Sequence, residues 1–259
     1  MSESILLTRD GHVAVLTLNR PQQLNALTRS MSDELAEHFW NLNKDHDTRA
    51  IILTGSGGNF CQGGDFSDNE GKIENPVEGR VRLQRGQRLI ELMVGGPKPV
   101  IGAVSGHTIG LGMSIALACD FVVAADNVQF NTGFARLGLA AEYGLTFTLR
   151  QRIGLAQTKR LLMLPKKIKA EEALALHLVD TVCPLAELET TALNFAREFA
   201  EAPPLVVAYT KAALAKNPQT VQAAMDIEHD YQGALYMTQD HVEAVKASFK
   251  KRKPEFTGR

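Results

Sequence analysis

Two stretches of the chain carry glycines where a turn can present backbone N–H groups to a bound oxygen. They are Asn59-Phe60-Cys61-Gln62-Gly63-Gly64-Asp65-Phe66 and, further on, Gly110-Leu111-Gly112-Met113-Ser114-Ile115-Ala116-Leu117-Ala118-Cys119-Asp120. Each lies at the edge of an apolar element, and two such turns together can make an oxyanion hole, which serves reactions that build negative charge on a carbonyl oxygen. The plainer reading of either turn is that its glycines permit tight strand-to-helix packing.

A carboxylate stands apart in Leu139-Ala140-Ala141-Glu142-Tyr143-Gly144-Leu145. Apolar surroundings of this kind raise a carboxyl pKa toward neutrality, which suits a group that must accept a proton and return it. Its alternative is an acid in the first turn of a helix, where the dipole favours negative charge. Three other polar residues invite weaker readings. His107 in the second turn is expected to hydrogen-bond loop backbone, Cys61 to be a small buried apolar residue, and Asp65 to close its own turn.

The elements that must position these groups follow from periodicity. Ser4 to Thr8 and His12 to Asn19 flank Asp10-Gly11, a hairpin signal. Thr28-Arg29-Ser30 precedes Met31, Leu35, Phe39 and Leu42 at helical spacing, and Ala50 to Thr54 reads as a buried strand delivering the first glycine turn. Asp68 to Arg85 has no sustained apolar period and is expected to be a mobile lid or excursion, with a helix over Val81 to Met93. Val100 to Val104 is the next strand, Ser105 to Gly112 a glycine loop, Met113 to Ala118 a helix and Phe121 to Ala124 a strand. From Ile153 the chain reads as helical throughout, over Ala156 to Leu164, Ala170 to Leu178, Leu185 to Ala200, Pro204 to Lys216 and Val221 to Lys251. This order predicts an α/β fold of successive ββα-like turns, divided at Pro203-Pro204 into a core (1–202) and a helical region (203–259).

With 259 residues, 44% of them hydrophobic, the chain can bury a large core. Lys and Arg number 28 against 29 Asp and Glu, a balance that argues against strong binding to nucleic acid or an anionic membrane. Cys61, Cys119 and Cys183 lie far apart without metal-ligand spacing, and their odd number argues against a disulfide framework. No secretory signal, membrane-length apolar run or Ser-Lys-Leu-type ending is visible, so a cytoplasmic location is expected.

Five motifs occur together in one order: Leu18-Asn19-Arg20-Pro21 with Leu24-Asn25-Ala26-Leu27, the Asn59 to Phe66 loop, Gly106 to Asp120, Phe130 to Gly144, and Lys251-Arg252-Lys253-Pro254-Glu255-Phe256. In this the chain resembles the enoyl-CoA hydratase/isomerase (crotonase) superfamily along essentially its whole length. The resemblance implies a spiral of ββα units, a C-terminal helical trimerisation region giving a homotrimer or dimer of trimers, and acyl-CoA thioester chemistry. CoA enters as part of the substrate, with no metal or separate cofactor.

The resemblance places Gly64 and Leu111 where the two backbone N–H donors to the thioester oxygen stand, with Leu111 at a position many relatives fill with glycine. It places Gln22, Gln23 and Leu24 beside the CoA arm, and Cys61, Gln62, Gly63, Asp65 and Phe66 along adenine and pantetheine. The Lys250 to Lys253 run is either near CoA phosphates or a solvated helix end, the second being favoured by the helix dipole.

Hydratases of the superfamily use two glutamates to activate water, and here Ser114 and Phe134 stand at their positions. Glu142 instead falls where peroxisomal-type 3-enoyl-CoA isomerases and related bacterial isomerases carry their catalytic acid. The resemblance thus implies an isomerase of fatty-acid or related acyl-CoA metabolism that moves a double bond from the 3 to the 2 position. Alternatives are hydratase-like, ring-epoxide or dienoyl-CoA chemistry and, in another class, non-catalytic binding of acyl-CoA or RNA.

Overall fold

The computed structural model describes residues 3–65, 67 and 73–259. The chain opens with the expected hairpin, β1 (Ile5–Asp10) and β2 (Val13–Leu18), paired antiparallel with Asp10 opposite Val13. There follow α1 (Arg29–Lys44), β3 (Ala50–Gly55), α2 (Pro76–Val94), β4 (Val100–Val104), β5 (His107–Ile109), α3 (Leu111–Ala118), β6 (Phe121–Ala125) and β7 (Gln129–Asn131). Then come α4 (Leu145–Met163), β8 (Ile168–Lys169), α5 (Ala170–Ala175), β9 (Thr181–Cys183), α6 (Leu188–Glu201), α7 (Pro204–Ala215), α8 (Val221–Leu235) and α9 (Gln239–Phe249).

The main sheet has the order β1-β2-β3-β4-β6-β9, parallel from β2 onward. A smaller sheet, β5-β7-β8, runs beside it and is continued by single bridges from Thr108 to Cys61 and from Gly64 to Leu27. Each turn of the chain therefore lays one strand in the main sheet, one extended segment in the smaller one, and then a helix. β4, β5 and α3 make one such unit; β6, β7 and α4 make the next. This is the ββα spiral expected from sequence.

The central strands read as continuous apolar runs because the sheet is buried on both faces. One face sends Leu16, Leu53, Val104 and Val122 against Met31, Leu35 and Phe39 of α1, Leu89 and Met93 of α2, and α3. The other sends Val13, Ile52, Ile101 and Val123 against Leu188, Ala192, Ala196 and Ala200 of α6.

Five expectations change. The helix α2 begins at Pro76 rather than Val81, capped by the Asn75 side chain, which accepts from the Val77 and Glu78 N–H groups. Its first half shows no apolar period because it buries nothing: Val77 is 70% exposed, and the buried residues begin at Gly86. Residues 68–72 of the expected excursion lie outside the described residues. The glycine loop before Gly112 contains the strand β5, and the region after Ile153 is interrupted by β8 and β9. The helix read as starting at Ala156 instead starts at Leu145 and is broken at Gly154, and the long final helix divides where the Thr238 hydroxyl accepts from the His241 N–H to start α9.

A buried ammonium ties the C-terminal helices to the sheet. Lys211 on α7 donates to the carbonyl oxygens of Met93 (2.7 Å) and Lys98 (2.8 Å) and to the Asp120 carboxylate (2.6 Å), and Asp120 also accepts from the Val100 N–H. Removing the ammonium would leave a largely buried carboxylate without its charge partner. Lys211→Met is expected to lower unfolding free energy by about 2–3 kcal/mol, read from the midpoint of urea denaturation.

Candidate active site

The first glycine turn is held by a polar scaffold reaching back to the start of the chain. The Asn25 side-chain amide donates to the carbonyl oxygens of Ser56 (2.9 Å) and Asn59 (2.7 Å). Arg20 bonds the Ala26 carbonyl oxygen (2.7 Å) and pairs with Asp65 at 2.8 Å. Asp65 also closes its own turn, accepting from the Ser67 N–H at 2.9 Å, and the Ser67 and Arg20 bonds hold its carboxyl below the usual range. Gln62 then joins the two predicted CoA-binding segments, its N–H donating to the Leu24 carbonyl oxygen and its side chain to that of Gln23, both at 3.1 Å. Gln23 and Leu24, in and just after a single 3-10 turn that also holds Gln22, thus lie against Gln62. Phe66 lies outside the described residues.

The second turn is built by β5. Cys61 and Thr108 bridge, with the Cys61 N–H donating to His107 O and the Ile109 N–H to Cys61 O. His107 departs from expectation: its Nδ1 pairs at 2.9 Å with the Asn59 side-chain oxygen rather than with loop backbone, and its own N–H donates to the same oxygen. After Ile109 the chain reverses through Gly110 at φ +54° and enters α3 at Leu111, so the helix starts one residue before Gly112.

These contacts leave two donors unused. The bridge to Leu27 uses the Gly63 carbonyl and the Asp65 N–H, so among the described residues the Gly64 N–H has no partner. The Leu111 N–H, first of its helix, has none either. The two segments touch: a β-carbon built on Gly63 would stand 3.8 Å from the Leu111 nitrogen, while one built on Gly64 would meet open space. Two unpaired donors at adjacent turns, one at a helix N-terminus, can take an oxygen that gains negative charge.

Cys61 is fully buried, and burial pushes its thiol up to about 11, so it holds no thiolate for nucleophilic attack. Ser114 is also fully buried, its hydroxyl donating back to the Gly110 carbonyl at 3.3 Å, and Phe134 is 7% exposed. Neither offers a group to activate water.

Glu142 lies two residues before the Gly144 cap of α4, so it is not an acid of that helix's first turn. Its carboxylate makes no hydrogen bond or ion pair among the described residues, and burial raises its pKa, opposed by the charge of Arg82. The apolar cover differs in part from expectation: Leu145 is fully buried, whereas Leu139 is 54% exposed. Tyr143 and Gly144 are both left-handed, at φ +53° and +70°, and this bend carries the Glu142 backbone into the α4 cap. Sequence reasoning missed Asn25, Arg20 and Asn59, which hold the first turn, and Tyr143. The polar run Asn19-Arg20 with Asn25 was the available signal for the first two.

The basic C-terminal run forms a solvated end to α9, with Arg252 paired to Glu243 and Lys253 to Glu201 at 2.7 Å. Among the described residues no three His, Cys, Asp or Glu side chains are grouped so that they could hold a metal ion, and no helix is long and apolar enough to cross a membrane.

Residues 8–259 match the model of the enoyl-CoA hydratase/isomerase family. The chain is 34% identical over 254 residues to a short-chain-enoyl-CoA hydratase of Clostridium acetobutylicum, covering 97% of each. It is also 34% identical over 262 residues to a 1,2-epoxyphenylacetyl-CoA isomerase of Escherichia coli, covering 100% of each. Among solved structures, an enoyl-CoA hydratase from Bacillus anthracis superposes with a TM-score of 0.93 at 30% identity, over 99% of this chain and 100% of that one. With the ββα spiral and the paired glycine turns, these similarities make the chain a member of the enoyl-CoA hydratase/isomerase family.

Proposed function

We propose that the protein moves the double bond of a 3-enoyl-CoA thioester to the 2 position. The names of its relatives span hydration and isomerisation, so the choice rests on the site. The observation that carries it is Glu142, a half-buried carboxylate with no hydrogen-bond partner among the described residues, in a site where Ser114 and Phe134 occupy the positions expected for water-activating glutamates.

The thioester oxygen is taken by the Gly64 and Leu111 N–H groups, with CoA lying along Gln22 to Leu24 and Cys61 to Asp65. Glu142 removes a proton from C2, the electron pair moves through C1 to the thioester oxygen, and the enolate is held by the two donors. The same carboxylate returns the proton to C4 as the C3–C4 double bond becomes C2–C3. One base suffices, whereas hydration needs an ordered and activated water. The match to an epoxyphenylacetyl-CoA isomerase supports a second reading, ring-epoxide isomerisation on the same carboxylate and hole. The almost fully exposed Met237, in the turn between α8 and α9, and Phe249, at the end of α9, support association of copies through that region.

The test compares 3-hexenoyl-CoA isomerisation with 2-hexenoyl-CoA hydration by the purified protein, with 1,2-epoxyphenylacetyl-CoA as a third substrate. Isomerisation is expected to exceed hydration by about a hundredfold, the scale of one positioned acid–base group. Hydration as the faster reaction would overturn the proposal, and turnover of the epoxide alone would select the second reading.

The pH profile follows from Glu142. A base must be ionised to act, and its pKa is raised by burial. The kcat/KM for isomerisation is therefore expected to fall, as pH is lowered, through a value above the ordinary glutamate range, which a profile from pH 4 to 9 would read.

A further inference from the structure

The helix α2 runs along the bend that carries Glu142 in a regular register. Arg82, Gly86 and Ile90 recur every fourth residue and so share one face. Gly86 meets Tyr143 so closely that a β-carbon there would stand 1.7 Å from the tyrosine hydroxyl, and one on Gly144 would stand 3.4 Å from Ile90. One turn toward the helix N-terminus, Arg82 is the residue in register with Glu142, and its charge acts on both Glu142 and Tyr143. Arg82 forms no ion pair among the described residues and is exposed. On α1, Ser32 shares a 3.4 Å hydrogen bond with the Tyr143 hydroxyl, and Asp33 reaches Tyr143 electrostatically but is paired with Arg85 at 3.0 Å. Among the described residues Arg82 is thus the positive group on the neighbouring helices whose charge reaches the carboxylate.

We propose that Arg82 is a positioning residue for the reaction: from α2, held in register by the Gly86–Tyr143 and Ile90–Gly144 contacts, it keeps the Glu142 carboxylate charged and ready to take a proton. The inference rests on Glu142 being the base. It makes α2, which carries no acid–base group of the reaction, an element that extends the pH range of activity toward acid. The guanidinium stands off from the carboxylate, so it supports the charge without occupying the oxygens that must receive the proton.

The experiment measures kcat/KM against pH for the parent, Arg82→Gln, Arg82→Lys and Glu142→Gln. Arg82→Gln is expected to lose roughly two- to fivefold on the acid side, the scale of an exposed charge interaction, with the loss shrinking toward the alkaline plateau. Arg82→Lys is expected to restore the parent profile, and added salt to weaken the parent's acid-side activity more than that of Arg82→Gln. An Arg82→Gln profile superimposable on the parent, or reduced equally at every pH, would overturn the role of Arg82 while leaving Glu142 as base. Retained isomerisation in Glu142→Gln would instead overturn the assignment of the base, and this inference with it.

Discussion

Glu142→Gln is expected to lose isomerisation by about a thousandfold or more while unfolding at the same temperature as the parent or a higher one. The first half follows from its place in the reaction: no other group is assigned to move the proton between C2 and C4, and a positioned acid–base residue contributes on the order of a hundred- to ten-thousandfold. The second half follows from linkage. Burial raises the folded pKa of Glu142 above its unfolded value, so the ionised carboxylate opposes folding at neutral pH. That penalty is fully present above the folded pKa and disappears as pH falls through the unfolded value. An uncharged isostere removes it. The gain should therefore appear at pH 7.5 and vanish in acid below the unfolded carboxylate pKa, measured as paired thermal unfolding curves. Loss of activity without loss of stability separates a catalytic carboxylate from a structural one, and isomerisation surviving in Glu142→Gln would remove it from the reaction.

What the sequence showed in advance depended on how local the cause was. The strands β2, β3, β4 and β6 were legible because burial on both faces demands uninterrupted apolar residues, and α1 because Thr28 caps it, accepting from the Met31 N–H at 3.2 Å. The strands β5, β7 and β8 were not, since segments of two or three residues carry no period and take their conformation from neighbours: Thr108 lies beside Cys61 and Phe130 only once the spiral has closed. The first half of α2 was missed because it is helix without a core-facing stripe, held by the Asn75 cap.

The site divides in the same way. Gly64, Leu111 and Glu142 were pointed to by the family resemblance that the order of motifs along the chain carries. The residues that hold them in place could not: Asn25 bonds to Asn59, Gly86 abuts Tyr143 and Arg82 acts on Glu142 across tens of residues of intervening sequence. A carboxylate announces itself by its chemistry. A glycine that matters only because a tyrosine hydroxyl fills the space of its missing side chain does not.

Gly112 is a glycine of this second kind, and its replacement tests the proposed oxyanion hole. A β-carbon there would stand 2.1 Å from the Cys61 carbonyl oxygen and 2.9 Å from the Cys61 carbonyl carbon. That carbonyl cannot simply withdraw, because it accepts from the Ile109 N–H at 3.0 Å, while the Cys61 N–H is committed to His107 O at 2.9 Å. Gly112→Ala must therefore push the start of α3 away from the first glycine turn, separating the Leu111 N–H from the Gly64 N–H. Overpacking of this kind costs about 1–3 kcal/mol of stability, and loss of one effective donor about a hundredfold in rate. The expected result is a folded, less stable protein with isomerisation down about a hundredfold, its residual activity keeping the parent's acid limb because Glu142 lies on neither segment. Leu111→Gly, which alters the side chain and keeps the N–H, is expected to cost less than Gly112→Ala. Unfolding curves and kcat/KM profiles of the two variants check both statements. Full activity in Gly112→Ala would show that the two turns need not meet for the thioester oxygen to be held.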